Sequence, residues 1–154
     1  MARYDKYDPI SGGFRALLGA DLTLTNGSIG PVAVSLNSSG GVVVGTAGQS
    51  GLVGVLVKNV AKGPVGPWGT SLQGGTPNPY APIGARQGDA VDVMTSGEIV
   101  DLDPDDFPAG SKIYATAATG VLSTTGGTGK FLVGHTVEAG RLIVRVATGQ
   151  VAQA

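Results

Sequence analysis

Asp101, Asp103, Asp105 and Asp106 form the densest group of chemically active side chains in this sequence. Alternating Asp residues invite a calcium loop, because a hard cation takes oxygen ligands. A loop of the EF-hand type beginning at Asp101 wants Gly at its sixth position and Glu at its twelfth. Asp106 and Lys112 stand there instead, which leaves open only a calcium site of another kind. The local reading is an acidic turn, with Asp105 and Asp106 favouring a single helical turn that leads into Phe107-Pro108. Gly126-Gly127-Thr128-Gly129-Lys130 has the look of a phosphate loop, but Thr124 replaces the leading Gly and Phe131 the trailing hydroxyl. A β-turn region accounts for it better. His135 is the sole histidine, with no cysteine to join it on zinc and no nucleophile elbow to serve. It reads as a packed or interface residue. The expectation is a protein with no catalytic residues, no metal site and no cofactor, hence not an enzyme.

The elements that carry these residues are short and apolar-alternating. Ala90–Met94, Glu98–Leu102, Lys112–Ala115, Gly120–Ser123, Phe131–Val137 and Arg141–Val146 are separated by Gly, Pro, Asp, Ser and Thr. That punctuation marks an antiparallel all-β unit with tight connections. Upstream, Leu22 and Leu24, Val32 to Leu36, Val42–Val44 and Leu52–Val57 continue the pattern. The glycines at 45, 48, 51 and 54 predict a loop followed by a bulged or closely approached strand. The expected fold is a small antiparallel β-barrel or sandwich. Its predicted core is Leu22, Leu24, Val32, Val34, Val55, Val57, Val91, Val93, Ile99, Ile113, Val121, Val133, Val137, Leu142, Val144 and Val146.

Composition narrows the function classes. A chain of 154 residues is long enough for one domain with a real core. Only 14% of its residues are charged, against roughly 25% in an average soluble domain, which favours a surface that another surface covers. The net charge of −1 offers no basic field for nucleic acid. No apolar run approaches a bilayer span, and Met1–Pro9 lacks the apolar core of a secretory signal, so no membrane partner is expected.

Two segments stand apart. Residues 1–19 carry Arg3, Tyr4, Tyr7, Ile10, Phe14 and Arg15, with Pro9 and Gly12-Gly13 interrupting regular structure. They read as an extended N-terminal arm that orders on a partner, aromatic side chains anchoring it and arginines meeting carboxylates, or as a frayed terminus. Residues 62–87 hold five of the nine prolines and the sole tryptophan, which predicts a long Pro/Gly-rich loop or insertion. Trp68 and Tyr80 would either pack that loop down or present it as an interface. The single β domain is expected over 20–147, with a flexible tail at 148–154.

The order of motifs carries a resemblance. "GDAVDVMTSG", an acidic turn, "FPAGSKIYA", "TGVLSTT", a Gly-rich loop, "FLVGHTVEAG" and "RLIVRV" succeed one another. Together they resemble the small head-decoration, or capsid cement, proteins of tailed bacteriophages. "MARYDKYDPISGGFRA" is similar to the N-terminal arm of such proteins from phages of actinobacteria. The resemblance covers most of the chain and consists of Gly and apolar patterns, not a reactive signature. It implies a structural virion protein, made in the host cytoplasm, that sits on the outer face of the capsid. It also implies the major capsid protein as partner and homotrimers at local threefold positions. Other phage structural β-modules, of capsid vertex or tail, and a glycan-binding surface module are the alternatives.

Overall fold

The protein was studied as a computed structural model, which describes residues 12–23, 31–56, 83–85 and 87–154. The described residues are all-β and contain no helix. The strands are β1 (Gly13–Leu17), β2 (Leu22–Thr23), β3 (Val32–Leu36), β4 (Val42–Val44), β5 (Leu52–Leu56) and β6 (Ile83–Ala85). They continue with β7 (Ala90–Met94), β8 (Ser96–Ile99), β9 (Lys112–Thr116), β10 (Leu122–Ser123), β11 (Lys130–Glu138) and β12 (Arg141–Arg145). Two five-stranded sheets result, ordered β1-β7-β5-β3-β4 and β10-β9-β11-β12-β8, with β2 and β6 as a separate pair. Every strand pairing is antiparallel. Of the two expected architectures, the molecule adopts the sandwich and not a closed barrel.

The first sheet curls strongly. One parallel bridge, Leu18 to Val42, brings its outer strands together, and the Gly19 N–H donates to the Val42 carbonyl at 2.8 Å. The concave side holds one core cluster, with Leu18, Leu22, Val34, Val42, Leu56, Val91 and Val93 buried. The other side of β3 and β5 lies against the second sheet and contributes Ala33, Leu52 and Val55 to a second cluster. Ile99, Phe107, Ile113, Ala115, Val133, Leu142 and Val144 complete that cluster. Central strands covered on both faces explain the near-continuous apolar runs "VAVSL" and "LVGVL".

Gly54 behaves as its surroundings predict. Val34 pairs with Gly54 while Ser35 pairs with Leu52, so Val53 is the extra residue of a bulge. A Cβ on Gly54 would lie 2.6 Å from the Met94 carbonyl oxygen, too close for any other residue. The sheets are stitched where the β9–β10 turn meets β3. The Ala33 N–H donates to the Gly120 carbonyl at 2.8 Å, and the Thr46 N–H donates to the Ala117 carbonyl at 2.8 Å. Gly120 has φ +69°, and a Cβ there would collide with the Ala33 carbonyl oxygen.

Several expectations need correction. Val121 and Val137 are 53% and 45% exposed and lie outside the core. In β11, register shifts fall between Leu132 and Gly134 and between Thr136 and Glu138. Each shift reverses the facing of the residues beyond it, so Val133 and Gly134 are both buried, His135 turns outward and Thr136 turns inward. Thr136 is fully buried and satisfied: its hydroxyl donates to the Pro108 carbonyl at 2.5 Å and accepts from the Ser111 N–H at 2.9 Å. Val121 belongs to an edge, bridging Val32 singly. Val32 and Val146 are half-buried against the two clusters, while Leu24 and Val57 lie outside the described residues. The domain also begins earlier than residue 20, because β1 belongs to the first sheet. Ile83–Ala85, expected within a strandless loop, pairs with β2.

Candidate partner-binding surfaces

Arg3, Tyr4, Tyr7, Ile10, Trp68 and Tyr80 lie outside the described residues. Phe14 and Arg15, the other two candidates, are placed in β1 opposite Val93 and Asp92. Alternation sends Phe14 inward, where it packs on the first core cluster. Arg15 faces outward and grips Asp92 with two bonds, Nε to Oδ1 at 2.8 Å and Nη2 to Oδ2 at 3.2 Å. The Asp92 hydrogen bond, and then its charge, raise the pKa of the guanidinium. Both side chains are more than half exposed, so the pair is a solvated one of small energetic weight. Beside it lies an open depression of about 330 Å³, walled by Gly12, Phe14, Val93 and Met94. Among the described residues that line it, the ionisable groups are Arg15 and Asp92, which hold each other.

The acidic turn is built locally. The Asp103 carboxylate accepts the Asp105 N–H at 3.0 Å, as a helix N-cap does, and Pro104 comes next, at the position proline favours. The Phe107 N–H closes one helical turn on the Asp103 carbonyl at 2.9 Å. Phe107 is buried in the second cluster and fastens the turn to the domain. Asp101, Asp103, Asp105 and Asp106 remain exposed, and no group of three or more acidic, His or Cys side chains converges on a metal position among the described residues. Asp103 thus does the capping that the sequence pattern suggested for Asp105 and Asp106. The proline after it was the available signal.

The Gly-rich loop spends its donors internally. The Gly127 N–H donates to Gln153 Oε1 at 2.9 Å, the Gly129 N–H to the Gln153 carbonyl at 3.0 Å and the Lys130 N–H to the Gly127 carbonyl at 3.1 Å. Lys130 Nζ donates to Thr116 Oγ1 at 2.6 Å. A phosphate would find these three amides already engaged, with the ammonium turned to the Thr116 hydroxyl. The same bonds, with Gln153 N–H to the Lys130 carbonyl at 2.8 Å, lay the last residues along the start of β11.

The outer face of the second sheet is the broad surface that sequence reading passed over. Register places Lys112, His135, Ile143 and Glu98 side by side across β9, β11, β12 and β8. Tyr114 and Leu132 form the neighbouring pair, and Arg145 lies beyond Ile143 along β12. Leu132 is 43% exposed and His135 is exposed too, so the histidine is not packed into the core. Arg141 bonds Glu98 through Nε and approaches Glu138 at 3.5 Å.

The geometry defines a two-sheet antiparallel sandwich with a charged, partly apolar sheet face and an acidic turn. No family model matches the sequence, and no curated protein matches it. Among solved structures, the chain is similar to one from Mycobacterium phage Patience. The TM-score is 0.64 at 23% identity, and the match covers 97% of each chain. The likeness is one of fold.

Proposed function

We propose that this chain is a structural virion protein of a tailed phage that binds the outer surface of the head and stabilises contacts between major capsid protein subunits. The observation that carries the reading is the fold shared along nearly the whole length with a mycobacteriophage chain. The motif order that resembles head-decoration proteins gives the role its particulars.

In this reading the protein does no chemistry. It bridges neighbouring subunits of an expanded shell and resists their separation. Arg3, Tyr4, Tyr7 and Ile10 meet the shell, and the domain from Gly12 onward, with Phe14 already in its core, is the rigid body that they tether. Three copies acting together raise the effective concentration of each arm, so modest single contacts hold firmly.

The test is co-sedimentation of the purified protein with expanded, undecorated shells, paired with the temperature at which the shells break. Full-length protein is expected to bind saturably and raise that temperature. Removing residues 1–11 is expected to weaken binding by about tenfold or more while the domain still melts cooperatively. If full-length protein stays in the supernatant at every concentration, the capsid reading is wrong. If the truncated protein binds equally well, the arm is not the tether.

A further inference from the structure

Among the described residues, positive charge gathers on one surface. Of the described Lys and Arg residues, Lys112, Lys130, Arg141 and Arg145 stand on the outer face of the second sheet, and only Arg15 stands elsewhere. Arg141 is occupied by Glu98 and Glu138, and Lys130 by Thr116. Lys112 and Arg145 make no ion pair among the described residues. Beside them the half-buried Ile143 and the exposed Leu132 offer apolar contact. Two such cations flanking aliphatic side chains suit a protein surface. A nucleic acid would need a longer cationic track.

The complement lies on the same chain. The Asp101–Asp106 turn is exposed and carries four carboxylates, none in an ion pair among the described residues. The cap on Asp103 and the buried Phe107 hold it in shape, so presenting it costs little ordering entropy. Lys112 and Arg145 stand two strands apart, on the order of 10 Å, a width that a turn of this length can cover.

We propose that the Asp101–Asp106 turn of one copy docks on the Lys112–Arg145 face of the next, a head-to-tail contact between copies of this chain. Two different patches joined head to tail generate a ring when the rotation closes, and a threefold ring can be made only from such unlike patches. The inference deepens the self-association part of the reading above and does not rest on capsid binding.

The experiment is light scattering of the full chain at concentrations roughly tenfold apart, in low salt and in about 0.5 M salt. One variant carries Lys112→Gln with Arg145→Gln, the other Asp105→Asn with Asp106→Asn, so that neither altered patch attracts the other. Asp103 is kept because it caps the turn. Wild type is expected to associate, with an affinity that falls in high salt. Each variant alone is expected to associate at least about tenfold more weakly. Mixed in equal amounts, each variant still owns one intact patch, so the mixture is expected to form a one-to-one dimer that grows no further. Melting curves check that both fold, and Arg145→Gln alone replaces the first variant if it does not. Wild type that stays monomeric, association indifferent to both variants, or a mixture that does not pair would each overturn the contact. Shells are absent here, so failure leaves the capsid reading standing. Failed shell binding would equally leave this contact intact.

Discussion

The two sheets solve the same packing problem in opposite ways. The first curls onto its own concave side and is also covered by its neighbour, so β3 and β5 are buried on both faces. The second buries one face only and leaves the other to Lys112, Tyr114, Leu132, Ile143 and Arg145. A strand covered twice must be apolar throughout, whereas a strand covered once is free to carry charge on alternate residues. Stability is therefore concentrated in the first sheet and its junction with the second, and the outer face of the second is left free to carry charge.

The sharpest way to break this contrast is to remove comparable side chains from each sheet. Leu56 is fully buried in the concave cluster. Leu56→Ala is expected to cost about 3 kcal/mol or more, through lost transfer free energy and the cavity left behind. In a chain of this size that lowers the melting temperature by about 10 °C. Leu132→Ala on the outer face is expected to stay within about 0.5 kcal/mol of wild type. Equal losses, measured by thermal or urea unfolding, would mean that the outer face is as much a core as the inner one.

A second, smaller contrast concerns how the sheets are joined. Gly110 and Gly120 have nearly the same φ, +71° and +69°, but only Gly120 faces a wall. Gly110→Ala is expected to cost about 1 kcal/mol, the strain of a left-handed residue alone. Gly120→Ala adds a collision with the Ala33 carbonyl and is expected to cost about 2 kcal/mol. If the two variants melt together, the seam between β3 and the β9–β10 turn is looser than its hydrogen bonds suggest.

How much of this was legible beforehand depends on whether a feature is set locally or by distant partners. Strand existence was readable because turn residues and alternation are local: Ala90–Met94 is β7 as expected, and the run from Arg141 is β12 one residue shorter than expected. Facing within β11 was not, because two bulges reverse it and nothing in "KFLVGHTVE" announces them except Gly134, whose Cβ would collide with the Ile143 carbonyl. Strand β1 was hidden because Gly12-Gly13 reads as a breaker. Here the missing side chains let Gly12 approach Ser96 and Gly13 approach Val93. Of the candidate surface, the acidic turn was visible as composition. The cationic face was invisible, since Lys112, Lys130, Arg141 and Arg145 are scattered in sequence and meet only through the order β9-β11-β12.

The smallest expected effect tests whether that outer face contributes to stability at all. The hydrogen bond from Arg141 is the main cause that lowers the pKa of Glu98, and the guanidinium charge adds to it against a desolvation that opposes it. A carboxylate whose folded pKa is depressed binds its proton more weakly folded than unfolded. Its stabilising contribution is therefore fully present above the unfolded pKa and disappears as pH falls through the folded one. Arg141→Gln is expected to lower the melting temperature slightly at neutral pH and not at all below the folded pKa of Glu98. High salt should shrink the difference, because both side chains are more than a third exposed. A difference that persists in acid would have to come from the packing of the Arg141 stem, not from its charge. The outer face would then belong to the stabilising part of the molecule as well.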